Sequence, residues 1–140
     1  MRQGNARWAL TIVSVLVLAG CSSADEEGTV AITLADFSIA ASPASAPTGT
    51  ITFDVENTAD QVHEFVVART DLGSADLPTG ADGDVSEEGA TDLTVVDEIE
   101  DIAGGSSPQL VVDLASGHYV LFCNLEGHYA QGMHLDFTVT

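Results

Sequence analysis

Three residues near the end of the sequence have side chains that bind soft metal ions. Cys123, His128 and Met133 follow one another at equal spacing in the stretch CNLEGHYAQGM. A thiolate, an imidazole and a thioether suit copper better than calcium or magnesium, which prefer oxygen ligands. Cysteine and methionine are also ordinary core residues when taken singly. Their combination in one short stretch favours a metal site, because Met133 is the only methionine after Met1.

A redox copper site needs a second imidazole, and His63 is the best candidate. It begins the stretch HEFVVA after the turn-like NTADQ, so we expect it at one end of a strand. Cys123 ends a second such stretch, so the four donors can meet at one end of a β-structure. Two histidines and a cysteine in a near-trigonal plane, with a distant methionine, form an arrangement suited to electron transfer.

The other two histidines are weaker candidates for the second imidazole. His118 lies an odd number of residues before Cys123 in the same predicted strand, so their side chains are expected on opposite faces. His134 directly follows Met133, and we expect it to be exposed. The predicted ligand set is therefore His63, Cys123, His128 and Met133.

Short segments rich in Val, Ile, Thr and aromatic residues predict the strands that position these donors. Alternating polarity and boundaries of Gly, Pro, Asn and Asp fit half-buried strands. The segments are residues 29–34, 50–57, 64–68, 92–96, 109–114, 118–123 and 134–140. Seven or eight strands in a chain of this length predict an all-β fold, an antiparallel Greek-key β-sandwich.

One long acidic insertion, residues 71–105, interrupts the strand pattern. We predict a short helix at 97–102 and otherwise a solvated loop, of a length that is often functional or mobile. Asp82, Asp84 and Ser86 resemble the start of a calcium loop. However, Glu87 and Leu93 occupy positions where that loop requires glycine and glutamate.

The first 20 residues are predicted to be a signal peptide. Arg2 and Arg7 precede an apolar run at residues 8–18, which is shorter than the roughly 20 residues of a membrane-spanning helix. The run ends in LAGC, which resembles the bacterial lipobox and implies cleavage before a lipidated Cys21. An ordinary small-residue cleavage site is the alternative.

Residues 21–28 are predicted to be a flexible tether and residues 29–140 the domain. The domain is expected to be anchored by lipid on the outer face of the cell membrane, on the periplasmic or extracellular side.

The composition limits the choice of partners. The formal net charge is −19, the sequence has no lysine, and Arg69 is the only arginine after the leader. The negative electrostatic field of such a chain excludes nucleic acid as a ligand and favours basic partner proteins. Solubility in high salt is an equally good explanation of the acidic surface. Once Cys21 is lipidated, Cys123 has no partner for an intrachain disulfide.

The residues at and around the proposed site resemble those of the cupredoxins, the small blue copper proteins. The spacing Cys123-x4-His128-x4-Met133 is similar to the longer ligand loops of the auracyanin and rusticyanin type. Other residues that carry the resemblance are Gly117, Tyr119, Asn124, Gly127 and Gly132, and upstream Asn57, His63 and Phe65.

The resemblance implies one copper ion that cycles between Cu(I) and Cu(II). It also implies hydrogen-bond donation to the cysteine sulfur by the backbone N–H groups of Glu64 and Asn124, and electron exchange through an exposed His128. Leu125, Tyr129 and Gly132 are expected either to form an apolar docking rim or to pack within the loop.

These observations favour an extracytoplasmic type 1 copper protein that carries single electrons between redox proteins. A copper-binding or delivery protein of the same fold is the alternative, although the sequence has no methionine-rich or histidine-rich tract. An enzyme is disfavoured because only four histidines are present, none in an H-x-H pair, and the chain has room for one domain.

Overall fold

The computed structural model describes residues 28–140, which form two packed β-sheets. The strands are β1 (Gly28–Ala35), β2 (Ser38–Ser42), β3 (Ser45–Ala46), β4 (Gly49–Asn57), β5 (His63–Thr70), β6 (Leu93–Ile102), β7 (Gln109–Leu114), β8 (Gly117–Phe122) and β9 (His134–Val139). A single 3₁₀ turn, Tyr129–Gln131, precedes β9. The predicted signal peptide, Cys21 and most of the predicted tether lie outside the described residues. Within residues 28–140 there is no helix with the length and apolar character needed to cross a membrane.

The strands are divided between two mixed sheets. The first sheet has the order β2-β1-β4-β7 and the second has the order β3-β9-β8-β5-β6. The predicted β-sandwich is confirmed, although two strand pairs, β1 with β4 and β3 with β9, are parallel. Parallel pairs require a crossover, and the chain provides one by passing through β3 in the second sheet before it returns as β4.

Strand β6 replaces the helix that we predicted at residues 97–102. This strand pairs antiparallel with β5, with Phe65 opposite Ile99 and His63 opposite Ile102. The prediction was wrong because Ile99 and Ile102 repeat at a helical spacing, whereas a register shift between His63 and Phe65 accommodates that spacing in a strand. The acidic insertion therefore ends at Asp92, and we call residues 71–92 the acidic excursion.

The main core lies between the two sheets and contains three packed phenylalanines. The Phe53 ring lies 5.4 Å from the Phe65 ring and 5.6 Å from the Phe137 ring, both edge to face, which is a favourable aromatic geometry. Burial in β1 alternates residue by residue, as expected for a strand with one face on the core. The β1 side chains in this core are Val30, Ile32 and Leu34.

A second, smaller core covers the outer face of the second sheet. Val66, Ala68, Val120 and Phe122 are fully buried on this face. The residues that cover them are Leu77 and Val85 from the acidic excursion, Leu93 from β6 and Tyr129 from the 3₁₀ turn. The acidic excursion is therefore a third layer of the domain rather than a solvated loop.

The domain has two ends, which we name by their residues. His63 begins β5 and Cys123 directly follows β8, and these strands are adjacent and antiparallel, so both residues lie at one end, the ligand pole. Gly28 lies at the other end, the distal pole. A Cβ on Gly28 would lie 3.5 Å from that of Ala46, which pairs with Val139, which in turn pairs with Gly117 at the start of β8.

The packing predicts how the core responds to truncation. Phe53→Ala is expected to lower the free energy of unfolding by about 3–5 kcal/mol, because it leaves a cavity among three aromatic rings. Val111→Ala is the control, since Val111 is 57% exposed and its truncation is expected to change stability by less than about 0.5 kcal/mol. Denaturant unfolding of the metal-free protein measures both, and equal losses would contradict the described core.

Candidate metal centre

Three of the four predicted ligands converge at the ligand pole. The Nδ1 atoms of His63 and His128 are 3.3 Å apart, and the Cys123 sulfur lies 3.4 Å from the His128 Nδ1. One donor atom from each of the three residues lies within 4.8 Å of the other two. His63 and Cys123 are fully buried, so these donor atoms face each other in a pocket with little water.

The spacing of these atoms fits a shared metal ion. Imidazole nitrogens bind zinc at about 2.0–2.1 Å, so two nitrogens on one ion of similar size in a trigonal plane are about 3.5 Å apart. The observed separation of 3.3 Å between the two Nδ1 atoms agrees with that value. Two imidazoles and a thiolate form a donor set typical of copper. The residues therefore fit a single copper ion.

The backbone of Met133 is hydrogen-bonded to two residues of this cluster. Its N–H donates to the carbonyl of His128 at 3.2 Å, and its own carbonyl accepts from the N–H of Cys123 at 3.1 Å. The Met133 side chain is fully buried and belongs to the same hydrophobic cluster as Cys123. These contacts close residues 123–133, the ligand loop, and place the Met133 residue next to the three donors.

Local backbone conformation gives the ligand loop its shape. Gly127 and Gly132 adopt positive φ values of 76° and 102°, which cost glycine little. The His128 N–H donates to the carbonyl of Leu125 at 2.8 Å, so the chain turns immediately before the imidazole. Gly132 ends the 3₁₀ turn and leads the chain into Met133 and β9.

The histidine on β5 is fixed by the turn that precedes it. Asn57 donates from its side-chain amide to the carbonyls of Gln61 and Ile102, both at 2.8 Å, and accepts from the N–H of Ala59. Burial, and then the nearby His128, lower the pKa of His63, which favours the neutral ring that a metal requires. Among residues 28–140, no group lies within hydrogen-bond distance of the buried His63 Nε2.

The cysteine sulfur accepts hydrogen bonds from the backbone. The Glu64 N–H donates to it at 3.3 Å, as predicted from the resemblance. Burial raises the pKa of the Cys123 thiol, and the N–H groups of Leu125 and Glu64 oppose that effect. The predicted donation from the Asn124 N–H to the sulfur stays a prediction, and that N–H lowers the pKa of the neighbouring Glu64 carboxyl against the effect of burial.

The other histidines lie outside the cluster. His118 contacts the carbonyl of Thr70 at 2.8 Å through Nδ1 and the carboxylate of Asp136 at 3.0 Å through Nε2. His134 is partly buried rather than exposed, because its ring packs 4.9 Å from that of Tyr129. Neither histidine belongs to the group of donors formed by His63, Cys123 and His128.

The predicted docking rim is only partly exposed. Tyr129 is buried in the second core, Leu125 is partly buried against the main core, and only Gly132 is exposed. The residue that packs against the partly buried His128 is Phe37, whose ring lies edge-on at 5.3 Å. The sequence pattern did not single out Phe37, because it lies in the turn between β1 and β2.

A carboxylate cluster adjoins the site and was not predicted. Oxygen atoms of Glu64, Glu98 and Glu100 lie within 4.8 Å of one another. Burial, followed by the charges of Glu87, Glu98 and Glu100, raises the pKa of Glu64 to about 7. The cluster exists because β6 is a strand beside β5, so the incorrect helix prediction at 97–102 concealed it.

The raised pKa predicts a pH dependence of stability in the metal-free protein. An unfolded glutamate titrates near 4.5, whereas folded Glu64 titrates near 7. The folded state therefore holds an extra proton between these values and loses stability as the pH rises through them. Glu64→Gln is expected to remove part of this loss, so its melting temperature should exceed that of the wild type at pH 8 and match it near pH 4.

The control for this pH profile is Glu56→Gln, on the exposed face of β4. Thermal melts of the metal-free proteins at several pH values measure the effect. A gain in Glu64→Gln that is the same at pH 4 and pH 8 would contradict the raised pKa.

Comparison with known proteins gives one family and one fold. The family model described as the sulfocyanin (SoxE) domain matches residues 11–140. No curated protein gives a significant match. Many solved structures share the fold, including a dithionite-reduced auracyanin from Roseiflexus castenholzii at 23% identity and a TM-score of 0.57, covering 80% of this chain and 96% of that one.

Two further structures extend the comparison. Auracyanin A from Chloroflexus aurantiacus, described as a blue copper protein, has 17% identity and a TM-score of 0.59, covering 82% of this chain and 100% of that one. Rusticyanin from Thiobacillus ferrooxidans has 17% identity and a TM-score of 0.55, covering 80% of this chain and 77% of that one. These matches confirm the predicted cupredoxin-like sandwich.

Proposed function

Because the chain belongs to the family of the sulfocyanin (SoxE) domain, we propose that it is a type 1 copper protein that carries single electrons. The main support is the buried convergence of the His63 and His128 ring nitrogens with the Cys123 sulfur. These three residues, together with Met133, would hold the ion. The site provides donors for one ion, which suits electron carriage better than multi-copper catalysis.

Contacts within the protein hold the proposed ligand residues in place. When bound, copper supplies a one-electron couple between Cu(I) and Cu(II). The pairing of β5 with β8 fixes His63 relative to Cys123, and the bonds within the ligand loop fix His128 and Met133. Donors held by the protein move little when the charge of the site changes, so the barrier to electron transfer stays low. Hydrogen-bond donation from the backbone N–H groups of Glu64 and Leu125 to the sulfur tunes the reduction potential of the site.

Electron exchange is proposed to occur through His128. Of the two histidines it is the one that is partly exposed, whereas His63 is completely buried. Phe37 packs against the His128 ring from the turn between β1 and β2. An apolar ring beside a partly exposed imidazole offers a partner protein a surface from which water is excluded on contact.

The proposed setting is outside the cytoplasm, with redox proteins as partners. A signal peptide at residues 1–20 and a lipid anchor at Cys21 would place the domain on the outer face of the cell membrane. The net charge of −19 suits partners with a basic docking surface and predicts faster association at low salt.

The ligand assignment is tested by substitution. Wild-type protein loaded with copper is expected to show the intense thiolate-to-copper band and the EPR spectrum of a type 1 site. Cys123→Ser and His63→Ala are expected to abolish the blue band, because each removes one of the proposed copper ligands. His118→Ala and His134→Ala are the controls and are expected to keep it. Loss of the band in His134→Ala but not in His63→Ala would overturn the assignment.

Redox cycling separates a carrier from a copper-delivery protein. A carrier is expected to bleach on reduction and to regain its full colour on oxidation over many cycles, while it keeps copper in the presence of a competing metal-free protein. Visible absorbance and metal analysis after gel filtration measure both properties. Rapid transfer of copper to the competitor, with loss of colour that oxidation does not restore, would favour delivery.

A further inference from the structure

The acidic excursion contacts the ligand loop directly, from the side opposite the main core. Its Leu77 and Val85 side chains are each 5% exposed and pack in the second core with Phe122 and Tyr129. Phe122 directly precedes Cys123 and Tyr129 directly follows His128. The outer layer of the domain is therefore packed against the residue before Cys123 and the residue after His128.

Three side chains join the two segments by hydrogen bonds. The Asp84 carboxylate accepts from the N–H of Gly127 at 2.8 Å. The Asn124 amide accepts from the N–H of Val85 at 2.7 Å and donates to its carbonyl at 3.0 Å. The Tyr129 hydroxyl accepts from the N–H of Leu77 and donates to the carbonyl of Ser74, with both contacts buried.

These contacts adjoin the proposed ligands in the sequence. Asn124 follows Cys123, Gly127 precedes His128, and Tyr129 follows it. Gly127 adopts a positive φ of 76°, which glycine tolerates at little cost, and its N–H is bound by Asp84 one residue before His128. The carboxylate on its N–H is a charge-assisted acceptor, which is stronger than a neutral one.

Hydrogen bonds within the excursion fix the position of Asp84. Residues 78–86 form a small hairpin in which the Gly80 N–H donates to the Asp84 carbonyl at 2.9 Å and the Ser86 N–H donates to the Pro78 carbonyl at 2.8 Å. The Asp84 N–H donates to the side chain of Asp82 at 3.2 Å. The carboxylate is thus held at a defined place.

Both ends of the excursion are tied to the sheet. The Thr70 hydroxyl donates to the carbonyl of Asp92 at 2.6 Å, so the two ends lie together. Ser74 donates to the Asp136 carboxylate on β9 from its N–H at 2.8 Å and from its hydroxyl at 2.9 Å. A loop closed at its base and packed by its own side chains is compact, so the excursion can support the ligand loop.

We propose that the acidic excursion braces the ligand loop, with Asp84, Asn124 and Tyr129 as positioning residues for His128 and Cys123. The inner side of the loop is held by its own backbone bonds and by Glu64, and the outer side is held by the excursion. The brace fixes the His128 imidazole at the pocket in the metal-free protein as well as in the loaded one. This inference rests on the proposed function only for its effect on copper.

The brace is tested first in the metal-free protein, by amide hydrogen exchange. Asp84→Ala removes the acceptor of the Gly127 N–H, and exchange at Gly127 and His128 is expected to accelerate about tenfold or more, while amides of β5 and β8 stay protected. Asp84→Asn keeps an acceptor oxygen and is expected to restore most of the protection. Glu88→Ala, an exposed acidic residue in the same excursion, is the matched control and is expected to exchange like the wild type.

The second readout uses copper-loaded protein. Asp84→Ala and Tyr129→Phe are expected to release copper to a chelator several-fold faster than the wild type and to shift the thiolate-to-copper band, whereas Glu88→Ala changes neither. Equal exchange at Gly127 in Asp84→Ala and Glu88→Ala would overturn the brace. Faster exchange spread evenly over the sheets would also overturn it, because that indicates general destabilisation. Localised exchange in a protein that binds no copper would leave the brace intact and reject the proposed function.

Discussion

The crowding of two imidazole nitrogens and a buried thiol is the constraint on which the rest of the structure depends. The Nδ1 atoms of His63 and His128 face each other at 3.3 Å beside the Cys123 sulfur. Donor groups from three separate residues meet in a buried pocket only where the surrounding structure fixes the position of each one. Here adjacent strands fix two of the residues and a loop bonded on both sides fixes the third.

The supports come from distant parts of the chain, and each acts on a different ligand. Asn57 orders the turn before His63, Glu64 provides the N–H that meets the sulfur, and the excursion contacts the residues around His128. The hydrophobic core gives the sheets their rigidity, while these polar contacts give the site its geometry. This division is typical of metal sites, in which groups outside the ligand set orient the ligands.

The ligand types and most strands could be predicted from the sequence, because donor chemistry and alternating apolar residues are local signals. Strands β2 and β3 were missed because they are short and weakly patterned. The helix predicted at 97–102 was wrong because Ile99 and Ile102 have a helical spacing, and only pairing with β5 makes that segment a strand. The role of the excursion was also hidden, since Leu77 and Val85 are single apolar residues in an acidic segment. Their significance depends on the outer face of the second sheet, which no local pattern reveals.

The direction of β1 determines how the domain is presented to its surroundings. Gly28 begins this strand at the distal pole, and the turn that follows the strand brings Phe37 to His128 at the ligand pole. Whatever precedes Gly28 is therefore joined to the domain at the end remote from the donor atoms. Fastening the chain to a surface through its N-terminal segment would therefore leave the imidazole edge uncovered by the point of attachment.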